Sequence, residues 1–294
     1  MGPSIDAAEG HEIVHIEVAR HAGVCYGVER ALDMAHRAGS EAKRPVQTLG
    51  PLIHNPRVVD ELAREGVGLA DGLDGLEGGT IIIRAHGVVP QVVEEARERG
   101  LDVLDATCPY VKKVHAAAER LCREGYQLIV VGESGHPEVE GIMGHADTRA
   151  RVISSPTDLD GLELGRRVGV VVQTTQTDEL LAQIVSALLP RAQEVRVVNT
   201  ICKATHERQE SAAELAARAD LMLVVGGKNS GNTRRLAQIC AERCASTHHI
   251  ESADEIESAW LAGAGLVGVT AGASTPAAHI REVTARVEAL ATAR

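Results

Sequence analysis

The chain has 294 residues, a formal net charge of -11 at pH 7, no Phe, one Trp and three Tyr. This length predicts two or three domains, and a core of Val, Ile, Leu and Ala favours parallel sheets covered by helices. The acidic balance argues against nonspecific binding to nucleic acid or anionic membranes, which depends on clustered Lys and Arg. Because neither a membrane-spanning apolar run nor a signal-peptide segment is visible, we expect a cytoplasmic protein without nucleic-acid or membrane partners.

Apolar runs alternate with amphipathic helical stretches along the chain. The predicted strands are, in order, EIVHIEV, PVQTLG, TIIIRA, LDVLDA, YQLIVVG, ARVISS, RVGVVVQ, EVRVVN, DLMLVVG, STHHI and GLVGVTAG. The helical stretches between them include GVERALDMAHRAG, PQVVEEARERG, VKKVHAAAERLCREG and RQESAAELAARAD. This alternation, with strands that are apolar on both faces, predicts an α/β fold with parallel sheets.

A longer period appears in the cysteines. Cys25, Cys108 and Cys202 each follow a predicted strand and precede a helix, and they recur at intervals of roughly 90 residues, the size of a small domain. We therefore predict three related α/β units with parallel sheets around a pseudo-threefold axis. The predicted boundaries are residues 1–26 for an N-terminal extension and the strand leading to the first cysteine, 27–108 for unit 1, 109–198 for unit 2 and 199–294 for unit 3.

The three strand-to-helix cysteines differ from the other three. A single cysteine is usually a small buried hydrophobe, and this description fits the cysteines within helical stretches, which are Cys122, Cys240 and Cys244. At a helix N-terminus, backbone amides and the helix dipole should lower the pKa of a thiol. Three converging thiolates could bind either zinc or an iron–sulfur cluster with one open iron.

Polar loops follow the predicted strands, and three of them carry a histidine. His54, His86 and His136 each lie at a strand end just before a helix start. An isolated loop histidine usually faces solvent, but three in equivalent loops, together with helix amides, predict an anion site. Neutral donors are added by Ser230, Asn232, Ser274 and the threonines of QTT. Such a set suits a phosphate or diphosphate gripped inside an acidic protein.

The stretch GHPEVEG places a carboxylate in one of these histidine loops. Glu138 could be an ordinary first-turn helix glutamate. If it faces the cavity, burial would raise its pKa and let it deliver protons, with Thr174 or Thr175 relaying through a hydroxyl. The glycine-rich loops VGGKNSGNT and TAGAS match neither nucleotide-binding fingerprint, so ATP and NAD are not expected.

Together these stretches resemble a known family. The segments CYGVERAL, LIHNPRVV, RAHGV, DATCPYVKKVH, GHPEVEGIMGH, QTTQT, ICKATHERQ, GGKNSGNTRRL and GVTAGASTP run in family order from about residue 13 onward. They resemble the LytB or IspH family, the 4-hydroxy-3-methylbut-2-enyl diphosphate reductases. The resemblance implies three α/β units around one central 4Fe-4S cluster, held by three cysteines with an open apical iron.

The resemblance also implies roles for particular residues. The cluster ligands would be Cys25, Cys108 and Cys202, and Glu138 would be the proton source with Thr174 near the substrate hydroxyl. The substrate diphosphate would be held by His54, His86, His136, Ser230, Gly231, Asn232 and Ser274. Some family members carry a serine in place of Gly231, so a backbone amide contact would replace that hydroxyl.

The implied reaction adds two electrons and two protons to an allylic diphosphate, removes its hydroxyl as water, and yields isopentenyl and dimethylallyl diphosphate. It is the last step of the non-mevalonate isoprenoid pathway. Electrons would come from a ferredoxin or flavodoxin, since no flavin or nicotinamide motif is visible. The alternatives are a three-cysteine cluster enzyme resembling quinolinate synthase, a zinc-stabilised binding protein, and a cluster that senses oxygen or iron.

Overall fold

The computed structural model describes residues 14–42 and 44–293. Residues 1–13, part of the segment 1–26 predicted as an N-terminal extension and first strand, lie outside these. The described part of the chain contains three four-stranded sheets whose paired strands are all parallel. The predicted α/β class with parallel sheets is therefore confirmed, whereas the pseudo-threefold axis and the domain boundaries stay predictions.

The described residues divide into two compact units. The larger unit comprises residues 24–207 and 229–232, and the smaller unit comprises residues 14–23, 208–228 and 233–293. In chain order the helices are α1 (Tyr26–Glu41), α2 (Pro56–Arg64), α3 (Pro90–Glu98), α4 (Pro109–Arg123), α5 (Pro137–Gly144), α6 (Asp178–Leu188), α7 (Lys203–Ala216), α8 (Gly231–Ala241) and α9 (Ala277–Thr292). Three short 3-10 helices cover Pro156–Leu159, Ala253–Glu255 and Ser258–Leu261.

The larger unit contains two of the sheets. The strands of its first sheet are β2 (Val46–Leu49), β3 (Val67–Ala70), β4 (Thr80–Ile83) and β5 (Asp102–Asp105), in the order β3-β2-β4-β5. The strands of its second sheet are β6 (Gln127–Val131), β7 (Arg151–Ile153), β8 (Arg167–Val172) and β9 (Glu194–Val197), in the order β7-β6-β8-β9. The central strands β4 and β6 are buried along their whole length, because helices cover both faces of a parallel sheet.

The smaller unit contains the third sheet. Its strands are β1 (His15–Val18), β10 (Leu221–Val225), β11 (Thr247–Ile250) and β12 (Leu266–Ala271), in the order β1-β12-β10-β11. The N-terminal strand thus completes the sheet of the C-terminal segment, with His15 opposite Leu266. In every sheet the strand that leads towards one of the three cysteines lies at an edge: β1, β5 and β9.

One strand, β3, was not predicted from the sequence. β3 is a four-residue edge strand containing a glycine, and its Leu69 is 46% exposed. It therefore lacks the apolar run that marks a buried strand. The eleven predicted strands all correspond to strands of the structure. No helix in the described ranges combines the length and apolar character that a membrane crossing requires.

The ends of the strands set the position of the polar loops. The Asn55 side chain caps α2 by accepting from the Val58 N–H, and the His136 ring caps α5 by accepting from the Glu138 N–H. Proline stands in the first turn of both helices, where its missing N–H costs nothing. Both loops leave the carboxyl end of a parallel strand, which is where ligands bind in α/β folds.

Candidate active site

Three cysteines begin three helices. Cys25 and Cys108 are the N-cap residues of α1 and α4, and Cys202 directly precedes α7. The thiols of Cys25 and Cys202 both interact electrostatically with that of Cys108. Gly27 packs so closely on Cys108 that a Cβ added there would overlap the sulfur. The larger unit therefore brings the three sequence-predicted ligands together.

The protonation of these thiols differs from the sequence expectation. Burial raises the pKa of Cys108, and hydrogen bonds from the amides of Tyr110 and Val111 offset only part of that rise. Burial likewise raises the pKa of Cys202. For Cys108 and Cys202 the expected net lowering of the thiol pKa was wrong, because desolvation outweighs the amide hydrogen bonds that oppose it. A coordinated metal deprotonates a thiol outright, so metal binding would have to supply the thiolate form.

The donor types suit an iron–sulfur cluster. Cysteine thiolates are the usual ligands of such clusters, and soft sulfur donors select iron–sulfur clusters or zinc over hard cations. Among the described residues, no three His, Cys, Asp or Glu side chains are grouped so that they could hold a metal ion. The remaining cysteines lie elsewhere: Cys240 and Cys244 are buried in an apolar cluster, and Cys122 is half-buried.

Three histidine rings form a cluster at the strand ends. The ring centroids of His54 and His86 are 4.2 Å apart, and His136 lies 5.1 Å from His54 and 5.7 Å from His86. Burial lowers the pKa of His86 well below its usual value, and the neighbouring His54 and His136 lower it further. The His86 ring is therefore neutral at physiological pH. Its Nδ1 is buried and makes no hydrogen bond with the described residues.

The His136 ring has a defined tautomer. Its Nδ1 accepts a hydrogen bond of 3.1 Å from the Glu138 backbone N–H. A nitrogen that accepts carries no proton, so the neutral ring is protonated on Nε2. The helix cap therefore fixes His136 as a hydrogen-bond donor through Nε2, which is the form that an anionic ligand requires.

Glu138 is a buried carboxyl paired with Thr174. It is 2% exposed, its Oε1 accepts from the Thr174 N–H at 2.6 Å, and its Oε2 accepts from Thr174 Oγ1 at 2.9 Å. Burial raises the pKa of Glu138 to about 7, although both hydrogen bonds oppose the rise. Because the amide can only donate, a proton on this carboxyl resides on Oε2, facing the hydroxyl. Of the two threonines considered from the sequence, Thr174 is the one that hydrogen-bonds to this carboxyl.

A second threonine, absent from the sequence-based site, connects this acid to a cysteine. Thr205 is 2% exposed, its Oγ1 donates to the Thr174 carbonyl at 2.9 Å, and it lies 3.0 Å from Cys202 Sγ. The Cys202 N–H also donates to the Thr174 carbonyl at 3.2 Å. One hydrogen-bonded network therefore links the candidate cluster ligand to the candidate acid. Its only sequence signal was a threonine three residues after the cysteine.

The loop before α8 and the first turn of that helix contribute neutral donors to the larger unit. Ser230 and Asn232 are buried, and both Nδ2 and Oδ1 of Asn232 make no hydrogen bond with the described residues. Gly231 lies against Glu133, since a Cβ there would come within 3.2 Å of Glu133 Oε1. An orphaned buried carboxamide costs free energy unless a ligand satisfies it. Ser274 belongs to the smaller unit, where it is buried in the loop between β12 and α9.

His115 supports two of the predicted loops and was missed because it lies inside a helix. A Cβ at Gly87 or Gly141 would press on its ring, so the loop after His86 and helix α5 both pack against it. Its ring also stacks on that of His145, with centroids 4.4 Å apart. Burial lowers the pKa of His115 to about 4, so it packs as a neutral ring.

Known proteins share this arrangement of segments along the chain. The LytB protein family matches residues 16–288. The chain belongs to the LytB protein family. Within that family, 4-hydroxy-3-methylbut-2-enyl diphosphate reductase of Pelobacter propionicus is 48% identical over 274 residues, covering 93% of this chain and 98% of the relative. The relative named 4-hydroxy-3-methylbut-2-enyl diphosphate reductase from Aquifex aeolicus is 46% identical over 279 residues, covering 94% of this chain and 96% of the relative.

A solved structure of a LytB-type reductase has the same fold. The E-1-hydroxy-2-methyl-but-2-enyl-4-diphosphate reductase of Plasmodium falciparum superposes with a TM-score of 0.87 at 27% identity, covering 94% of this chain and 87% of that one. The family predicted from the sequence motifs is thereby confirmed. Membership in the LytB family also decides against the alternative that resembled quinolinate synthase.

Proposed function

We propose that the chain reduces 4-hydroxy-3-methylbut-2-enyl diphosphate to isopentenyl and dimethylallyl diphosphate, the last step of the non-mevalonate isoprenoid pathway. Each turnover consumes two electrons and two protons and releases the allylic hydroxyl as water. One observation carries the proposal: the buried acid Glu138 and the thiol of Cys202 share a hydrogen-bonded network through Thr174 and Thr205. A proton donor and a cluster ligand joined in this way suit a reductive dehydroxylation.

Family membership implies an iron–sulfur cluster, and we assign one 4Fe-4S cluster to Cys25, Cys108 and Cys202. Gly27 supports this assignment, because any residue with a Cβ at that position would overlap the Cys108 sulfur. When bound, the cluster supplies the electrons and an open iron that acts as a Lewis acid on the substrate hydroxyl. Because their pKa values are raised, the thiols of Cys108 and Cys202 are protonated at neutral pH. Cluster binding at neutral pH therefore releases their protons.

Glu138 delivers a proton to the departing oxygen. With a pKa of about 7, a large share of the carboxyl is protonated at neutral pH, while the anion remains accessible for reprotonation. Thr174 holds both carboxyl oxygens, so the acid keeps one orientation. The Thr174 hydroxyl can accept the Oε2 proton and pass its own proton onward, and we assign it a position beside the substrate hydroxyl.

The diphosphate group binds to neutral donors. We assign it to His54, His86, His136, Ser230, Gly231, Asn232 and Ser274. The orphaned Asn232 carboxamide and His86 Nδ1 support this assignment, because buried polar atoms of native proteins nearly always have partners. The neutral His86 ring adds no buried cation to the cluster, and helix amides add the positive potential that the anion needs.

Electrons must come from a separate protein, and we assign this role to a ferredoxin or flavodoxin. The chain contains no nucleotide-binding fingerprint. Cytoplasmic location stays a prediction of the sequence.

The test is anaerobic turnover of the purified holoenzyme with chemically reduced methyl viologen, combined with iron and acid-labile sulfide analysis. The wild type should contain about four irons and four sulfides per chain and should form both products. Glu138→Gln should retain the cluster but lose at least about a hundredfold in kcat, whereas the exposed neighbour Glu140→Gln should behave as wild type. Zinc in place of iron, or normal turnover of Glu138→Gln, would contradict the proposal.

A further inference from the structure

A surface groove in the larger unit lies beside two of the candidate cluster ligands. It has a volume of about 430 Å³ and is formed by the N-terminal three turns of α4 and by residues 198–201. Tyr110, at one end, is two residues from Cys108, and Ile201, at the other, directly precedes Cys202. Both ends of the groove are therefore within two residues of a candidate cluster ligand along the chain.

The groove is cationic although the chain is acidic. Lys113 and Arg120 line it, both are exposed, and no Asp or Glu lines it. Among the described residues neither side chain pairs with a carboxylate, whereas the adjacent Lys112 is neutralised by Asp105 at 2.5 Å. On a chain of net charge -11, two unneutralised cations in one groove form a local patch of the opposite sign.

An aromatic side chain accompanies these cations. Tyr110 is 37% exposed, and Lys113 Nζ lies 5.0 Å from the centre of its ring. An exposed tyrosine beside a cation is typical of protein-binding surfaces, because it buries apolar area and retains a hydrogen bond.

We propose that this groove is the docking site for a small acidic one-electron carrier of the ferredoxin class. The inference rests on the proposed function, in which two reduced carrier molecules each lose one electron per substrate molecule. The site lies next to the cluster ligands, and its charge is complementary to an acidic partner. Complexes between electron-transfer proteins have small interfaces, and charge steers their association. A small groove lined by two cations fits such an interface.

The test compares two electron sources for the same anaerobic holoenzyme. One source is a plant-type ferredoxin of net negative charge, kept reduced by its reductase, and the other is dithionite-reduced methyl viologen. The variants are Lys113→Glu, Arg120→Glu and their combination, with Lys113→Arg as the charge-conserving variant. The matched control is Arg64→Glu on α2, which packs against β3 at the sheet edge opposite β5.

Charge reversal should affect only the protein donor. We expect the double variant to raise the KM for ferredoxin roughly tenfold at low salt and to flatten its dependence on ionic strength. Turnover with methyl viologen should stay at the wild-type rate, which also shows that the variant is folded and carries its cluster. Lys113→Arg and Arg64→Glu should leave both KM and salt dependence unchanged.

Three results would overturn the inference. An unchanged ferredoxin KM in the double variant, with normal viologen-driven turnover, would remove the docking site and leave the proposed function intact. Absence of viologen-driven turnover in cluster-replete wild type would refute the proposed function and the docking site with it. A wild-type dimer in sedimentation that the double variant abolishes, without any change in ferredoxin KM, would make the groove an interface between two copies of the chain.

Discussion

Replacing Thr174 by Val removes the hydroxyl that donates to Glu138 Oε2 but keeps the backbone N–H that donates to Oε1. The two side chains have similar shape, so the change isolates one hydrogen bond. That bond stabilises the carboxylate and therefore lowers the pKa of Glu138. Its loss should raise the pKa of the carboxyl above its wild-type value of about 7.

The size of the shift follows from the energy of the lost bond. A hydrogen bond to a charged group contributes about 1.5–3 kcal/mol, and one pKa unit corresponds to about 1.36 kcal/mol. We therefore expect an upward shift of about one to two units. At pH 8 about a tenth of the wild-type carboxyl should be protonated, compared with about half or more of the variant. Activity that needs the protonated acid falls as pH rises through the pKa, so this falling limb should move to higher pH.

Infrared difference spectroscopy of the anaerobic holoenzyme measures the titration directly. The carbonyl stretch of the protonated carboxyl is followed between pH 5 and pH 10, and its assignment comes from its loss in Glu138→Gln. The pH profile of kcat/KM should shift with it. Thr174→Ser, which retains a hydroxyl, should titrate like the wild type. A wild-type midpoint near 4.5, or a Thr174→Val midpoint equal to that of the wild type, would refute the assignment of Glu138 as a buried acid held by Thr174.

Three further changes address the cluster and the anion site. Gly27→Ala places a Cβ against the Cys108 sulfur, so anaerobic iron and sulfide content should fall by more than about half, and full retention would contradict the packing argument. Asn232→Ala should raise the KM for the diphosphate substrate by roughly ten- to a hundredfold, from about 1–3 kcal/mol of lost hydrogen bonding, while the exposed neighbour Asn229→Ala should leave KM unchanged. Thr205→Val removes a hydroxyl 3.0 Å from the Sγ of the candidate ligand Cys202. A thiolate can only accept, so in the holoenzyme this hydroxyl should donate to it instead of to the Thr174 carbonyl. Its loss should make the cluster's midpoint potential more negative in redox titration, with Thr205→Ser restoring it.

The sequence by itself determined every described strand except β3, the cysteine positions and the family. Buried parallel strands such as QLIVV and LMLVV are continuous apolar runs, because both faces of each strand meet helices. The three cysteines were recognisable because each stands at the same strand-to-helix junction. These signals are local, so they need no knowledge of what packs against them.

Only the tertiary structure decided which segments pair and which groups are desolvated. The N-terminal strand β1 joins β12, more than 240 residues later in the chain, and no local pattern encodes that partner. The edge strand β3 depends on neighbouring strands rather than on its own apolar content.

The chemistry of the site depends on the same non-local packing. Burial depends on every element packed around a side chain. It raises the pKa of Glu138 to about 7, and it raises the pKa of the Cys108 thiol, which the sequence predicted to be lowered. The network from Cys202 through Thr205 to Thr174 joins segments about 30 residues apart. Sequence motifs supplied Glu138, Thr174 and Cys202, but the fold alone placed a carboxyl, two hydroxyls and a thiol in one hydrogen-bonded network.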